Sequence, residues 1–150
     1  MMLSSHFSLA EMIASDTALR HGINNAPGPH EIDNLKRLCA LVLEPLRAAI
    51  GQPIRITSGY RSSLLNTLVG GSRTSDHCAG RAADIQVPGT SPLSLARAIE
   101  SLDLPVQQVI HEFGGDARIL KVRLDELGVL LVVLLNPGLL GEDWRRKAES

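Results

Sequence analysis

Two residues with metal-ligating chemistry, the imidazole of His77 and the carboxylate of Asp84, stand seven positions apart in the run from Ser72 to Ile85. Gly80 and small residues lie between them, so the backbone can turn tightly and pack closely there. Ala82 to Val87 is an apolar-leaning run that reads as a buried strand. A histidine on the incoming loop and a carboxylate on that strand can converge on one point. Mixed nitrogen and oxygen ligands, with a position left open for water, are how a catalytic zinc centre is built. The bland reading of the same residues is a surface histidine and an ordinary loop aspartate.

A zinc centre that hydrolyses its substrate needs more than the metal. It needs a base for the water, an electrophile for the developing oxyanion, and a grip on the substrate. Arg61 follows a strand-like segment and Gly59, and precedes the His77 run. Its planar, always charged fork suits an oxyanion or a substrate carboxylate, with a surface salt bridge as the alternative. Cys78 adjoins His77 and is a conceivable ligand. Cys39 falls inside a helical pattern and reads as a small core residue. Two cysteines do not make a disulfide framework.

Ser75-x-His77-x-x-Gly80-x-Ala82-x-Asp84 resembles the signature of the M15 zinc peptidases, a family of D-Ala-D-Ala carboxypeptidases, dipeptidases and phage murein endopeptidases with the Hedgehog/DD-peptidase fold. Ile56-Thr57-Ser58-Gly59-Tyr60-Arg61-Ser62 and Val69-Gly70-Gly71-Ser72 match it too. His6 to Met12 and Asp16-Thr17-Ala18 are similar to the start of the phage-type branch. The likeness covers residues 6 to about 114 of a single domain; 115–150 form a divergent tail. The resemblance implies zinc on His77 and Asp84, Arg61 as transition-state stabiliser and Glu112, in Ile110-His111-Glu112-Phe113-Gly114, as the base. It also implies that Ser75 braces the His77 loop and that Cys78 has no metal role. Peptidoglycan stem peptides are the implied substrate, cut by a murein endopeptidase of endolysin-like type.

One part of that pattern is missing. The family places a third ligand, a histidine, on the strand after the base, and no histidine follows Glu112 here. Arg118 or Lys121 falls where it is expected, and both are cationic. His111 is a possible replacement ligand, although in a strand it alternates with Glu112 to the other face. A carboxylate such as Asp116 or Asp125 is another. Loss of catalysis with retained binding is a third account, and an altered reading of the C-terminus, suggested by the Leu/Val-dense run from Leu127 to Leu140, is a fourth. Whether the chain is an enzyme therefore stays open. The second function class is a degenerate module that binds cell-wall peptide or docks into a phage assembly.

The elements that must position these residues are legible in outline. Ser8 with Glu11 has capping-box spacing and starts a helix over about residues 9 to 15. Ile32, Leu35, Leu38, Cys39, Val42, Leu43 and Leu46 recur at helical spacing, with Pro45 expected to kink the helix and Gly51 to stop it. Residues 53–58 read as a strand, 62–68 as a short helix, 82–87 as a strand and 92–101 as a helix capped by Ser91. Residues 107–113, 119–124 and 129–135 read as strands. Asn136-Pro137-Gly138 reads as a turn, and the charged end from Glu142 as frayed. The expected fold is α+β, a small antiparallel sheet with helices packed mainly on one side and the site on its open face.

Composition narrows the rest. The apolar fraction of 44% in 150 residues suits one core. A net charge of -1 and 3% aromatics leave no broad basic face and no stacking surface for nucleic acid. No signal peptide is read at the N-terminus, and the apolar run from Gly128 to Leu135 is too short to span a bilayer. The expectation is cytoplasmic synthesis, with action at the cell wall or periplasm if the protein is phage-encoded. His6, His21 and His30 are expected to be solvated or local hydrogen-bond partners. Oligomeric state is not legible.

Overall fold

Burial alternates along the two strands that carry Asp84 and Lys121, and that alternation gives this part of the sheet one apolar and one polar face. The computed structural model describes residues 1–102, 107–112, 118–125 and 130–135. Its strands are β1 (Arg55–Ser58), β2 (Ala82–Gln86), β3 (Gln107–Glu112), β4 (Leu120–Leu124) and β5 (Leu130–Leu135), in the sheet order β1-β2-β4-β5-β3. The pairs β1–β2, β2–β4 and β4–β5 are antiparallel, and β3 joins β5 in parallel at the edge. Ala83 and Ile85 of β2 and Leu120, Val122 and Leu124 of β4 are buried in the core. The alternate residues Asp84, Lys121 and Arg123 lie on the other face, half-buried. Asp84 is the Cα partner of Lys121, and Ala82 of Arg123.

Helices α1 (Leu9–Ile13), α2 (Asp16–Arg20), α3 (Pro29–Leu38), α4 (Glu44–Ile50), α5 (Ser63–Leu68) and α6 (Pro92–Ser101) complete the α+β architecture. Leu35, Leu38, Val42, Leu43 and Leu46 join Leu95, Ala96 and Ile99 of α6 in the cluster that covers the apolar face of the sheet. The long helix expected from His30 to Leu46 is interrupted by a π-helical turn over Cys39–Leu43, in which the Glu44 N–H reaches the Cys39 carbonyl. Pro45 explains it: the ring cannot donate to a carbonyl four residues back and clashes with it, and a wider turn relieves both problems. Gly51, left-handed at φ 66°, ends α4 as expected.

Local capping follows the expected chemistry. The hydroxyls of Ser8, Ser62 and Ser91 accept from the N–H groups of Glu11, Leu65 and Ser94. The sequence reading missed α2, where Ser15 accepts from the Ala18 N–H. It also gave His6 only a local part. His6 bridges the N-terminal segment to α4: its Nδ1 lies 2.8 Å from Glu44 Oε2 and its N–H donates to Oε1 at 2.7 Å, alongside the Ser4 hydroxyl. Although partial desolvation opposes ionisation, these donors hold the Glu44 carboxyl below its ordinary range. His21 and His30 are exposed, as expected.

Two measurements check this packing. Gly80 sits at φ 75°, and a Cβ there would run into the Glu31 carbonyl of α3. Gly89, at φ 82°, faces open space. Gly80→Ala should cost about 2–4 kcal/mol, from backbone strain plus the clash, and Gly89→Ala only about 1–2 kcal/mol. Equal losses of thermal stability would contradict the close approach of the loop to α3. Burial, with the charges of Glu44 and Glu11 adding to it, pushes the Cys39 thiol up to about 12 against a Ser4 hydrogen bond. Its contribution to stability is therefore present below the unfolded value of 9.0 and is lost as pH rises toward the folded value. Iodoacetamide at moderately alkaline pH should label Cys39 only after unfolding; prompt labelling in the native chain would refute the burial.

Candidate metal centre

The site is assembled where the end of β1 meets the His77 loop. Tyr60 donates its N–H to the Met12 carbonyl of α1 at 2.8 Å. A side chain at Gly59 would collide with that same carbonyl, so only glycine lets the chain pass. The Gly59 carbonyl is thereby turned to the His77 ring and accepts from Nδ1 at 2.7 Å. A carbonyl cannot donate, so Nδ1 carries the proton and, in the neutral ring, Nε2 carries the lone pair. The loop is fixed around this ring. The Arg61 and Gly80 N–H groups donate to the His77 carbonyl at 3.2 and 3.3 Å. Asn34 of α3 donates to the Ala79 carbonyl at 2.8 Å, and Ser75 Oγ accepts from the His77 N–H at 3.3 Å.

Asp84 reaches the same point from β2. Its Oδ1 lies 3.5 Å from His77 Nε2, and its Oδ2 lies 3.6 Å from Arg61 Nη2. His77 is 2% exposed, and both Nε2 and Oδ1 are buried with no hydrogen-bond partner. Two facing acceptor atoms in such a place call for a cation between them. Ligand bonds of about 2.0–2.2 Å at a tetrahedral angle put an imidazole nitrogen and a carboxylate oxygen about 3.4 Å apart. The pair fits zinc as two ligands. Among the described residues no group of three His, Cys, Asp or Glu side chains could complete the set.

Arg61 is held beside the pair. Its Nε donates to Ser58 Oγ at 3.1 Å and its Nη1 to Asn66 Oδ1 at 3.4 Å. Asn66, only 4% exposed, also donates to the Ser72 carbonyl at 2.8 Å and so ties α5 to the start of the motif loop. Asn25 plays a parallel part: its Oδ1 accepts from the Ser62 N–H at 2.7 Å, and its Nδ2 donates to the Tyr60 and Ile13 carbonyls. Sequence reasoning missed both asparagines. The available signal for Asn66 was a polar residue among the leucines of a short helix.

A cavity of about 300 Å³ opens beside His77, lined by it and by Arg61, Ser72, Ser75, Lys121 and Arg123, among others. Asp76 at its wall takes a hydrogen bond from Arg81 Nη2 at 3.2 Å. It also takes an ion pair from Arg123 Nε at 3.0 Å, without a directed hydrogen bond. Lys121 stands opposite Asp84 on β4, and with Arg118 it is one of the two residues near which the family resemblance implies a third ligand.

The structure brings His77, Asp84, Arg61 and Ser75 together. Cys78 is a free, half-buried cysteine, and burial pushes its thiol up despite the nearby Arg61 charge. Glu112 and His111 are described as backbone of β3, paired with Leu135 and Leu134; their side chains lie outside the described residues. Three strand spacings, roughly 14 Å, separate β3 from β2. Asp125, just past β4, is exposed and Arg118 likewise. Asp116, the turn at 136–138 and the charged end lie outside the described residues.

A comparison with curated proteins finds no match. The family model described as Peptidase M15 matches residues 5–113. The match spans both motifs and ends just after Glu112. On that span and on the His77–Asp84 geometry, this chain belongs to the Peptidase M15 family.

Proposed function

We propose that this chain is a zinc metallopeptidase-like protein that hydrolyses peptide bonds in peptidoglycan stem peptides. One observation carries the reading: His77 Nε2 and Asp84 Oδ1, both buried and unpartnered, face each other at 3.5 Å. Membership of the family agrees with peptidase-like chemistry. Zinc held by these two atoms would supply a Lewis acid for the scissile carbonyl and an acidified water.

The chain's own residues do the remaining work. The Gly59 carbonyl keeps the Nδ1 proton in place, so the His77 ring cannot turn its lone pair away from Asp84. Arg61, pinned by Ser58 and Asn66, holds Asp84 Oδ2 and leaves Oδ1 for the metal. Its fork also faces the cavity, where negative charge develops on a substrate oxygen. Ser75 steadies the loop through the His77 N–H. The base is assigned to Glu112 by the family resemblance alone.

A second reading, a module that binds cell-wall peptide without cutting it, is favoured by Lys121. A cation in the position opposite Asp84 adds no ligand and opposes a dication.

Purified murein separates the two. The account predicts turnover that a chelator abolishes and zinc restores. Folded His77→Ala protein should lose at least about 100-fold, in line with loss of a metal ligand. Murein activity in His77→Ala equal to the parent's would sink the peptidase reading, and no turnover by the zinc-repleted parent would leave the binding module.

A further inference from the structure

The turn that carries His77 is tied to β4 by charge. Asp76, the residue before the ligand, engages an arginine with each of its carboxylate oxygens. Arg81 Nη2 donates to Oδ1 at 3.2 Å, and Arg123 Nε lies 3.0 Å from Oδ2. The backbone follows the same route. Arg81 donates its N–H to the Asp76 carbonyl, and Leu124 donates its N–H to the Arg81 carbonyl, each at 2.9 Å. One circuit therefore joins the turn at Asp76, the entry to β2 and the end of β4.

The β2–β4 register makes this possible. Ala82 is the Cα partner of Arg123, so Arg123 stands beside the entry to β2, on the polar face that also carries Asp84. The three charged side chains are partly withdrawn from water, where ion pairs are screened less than on an open surface. What the circuit holds is the approach of two segments. Asp76 is bonded to His77, and Arg81 enters the strand that carries Asp84. The Gly59 carbonyl fixes the rotation of the His77 ring, and the circuit fixes where the turn stands relative to β2.

We propose that Arg123 is a positioning residue for the His77–Asp84 pair: through Asp76 it holds the His77 turn over β2. That the pair holds a metal rests on the proposed function. Arg123 comes after residue 113, where the family match ends. The segment beyond the match then serves the site by placing a ligand that the matched segment supplies.

The sign of one effect separates this role from plain electrostatics. Removing a cation beside the pair should tighten zinc binding if only charge counts. Loss of a positioning contact should loosen it. Full-length Arg123→Gln protein should bind zinc about tenfold more weakly than the parent in a chelator competition, and Arg123→Lys should recover part of the loss. Asp76→Asn combined with Arg123→Gln should lose no more than Asp76→Asn alone, because both changes break the same contact. A second readout needs no metal. In the metal-free chain at fixed pH, nuclear magnetic resonance should show the His77 Nδ1 proton exchanging with solvent about fivefold faster in Arg123→Gln. Circular dichroism controls for folding, and the isosteric Asp76→Asn provides the same exchange measurement if Arg123→Gln does not fold. Equal or tighter zinc binding by folded Arg123→Gln would overturn the inference, as would an unchanged exchange rate. A parent that takes no zinc, with exchange still faster in the variant, would end the metal reading and keep the positioning of His77.

Discussion

Everything at the site depends on one hydrogen bond, from His77 Nδ1 to the Gly59 carbonyl at 2.7 Å. It decides which ring nitrogen keeps the proton, and so which one faces Asp84. The bond exists only because Gly59 has no side chain. That absence lets the end of β1 slide against the Met12 carbonyl of α1 and present its own carbonyl to the ring. The second motif and the first are therefore one device: the Ser58–Ser62 segment sets the tautomer and supplies Arg61, and the His77 loop supplies the ligand. Asp84 completes it because β2 alternates, with Ala83 and Ile85 in the core and Asp84 on the opposite face.

Much of this was legible in the sequence for a plain reason. Ligands and turn glycines are residue types with few substitutes, so Gly80, His77 and Asp84 announce themselves by spacing. The long helical pattern was legible too, but the π-turn was not, because the apolar repeat persists through it while Pro45 changes only the hydrogen bonding. Asn25 and Asn66 were invisible for the opposite reason. Their work is to satisfy backbone groups from distant segments, Ile13 and Tyr60 in one case and Ser72 in the other. Nothing local in the sequence records such pairings. Strand β4 was readable as a strand, yet its register was not, and only the register brings Lys121 opposite Asp84.

Lys121, so placed, is with Arg118 one of the two cations that fall where the family resemblance leads one to expect a third ligand. A ligand at this position would add to metal affinity, whereas an ammonium subtracts from it and attracts anions.

The central claim is that the two buried acceptor atoms are a metal site, and zinc content tests it most directly. Metal-repleted, desalted protein should carry about one zinc per chain by atomic absorption, and folded His77→Ala protein should carry almost none. A parent that retains no more zinc than the variant would contradict the account, and would leave the facing nitrogen and oxygen as the relic of a site that no longer takes metal.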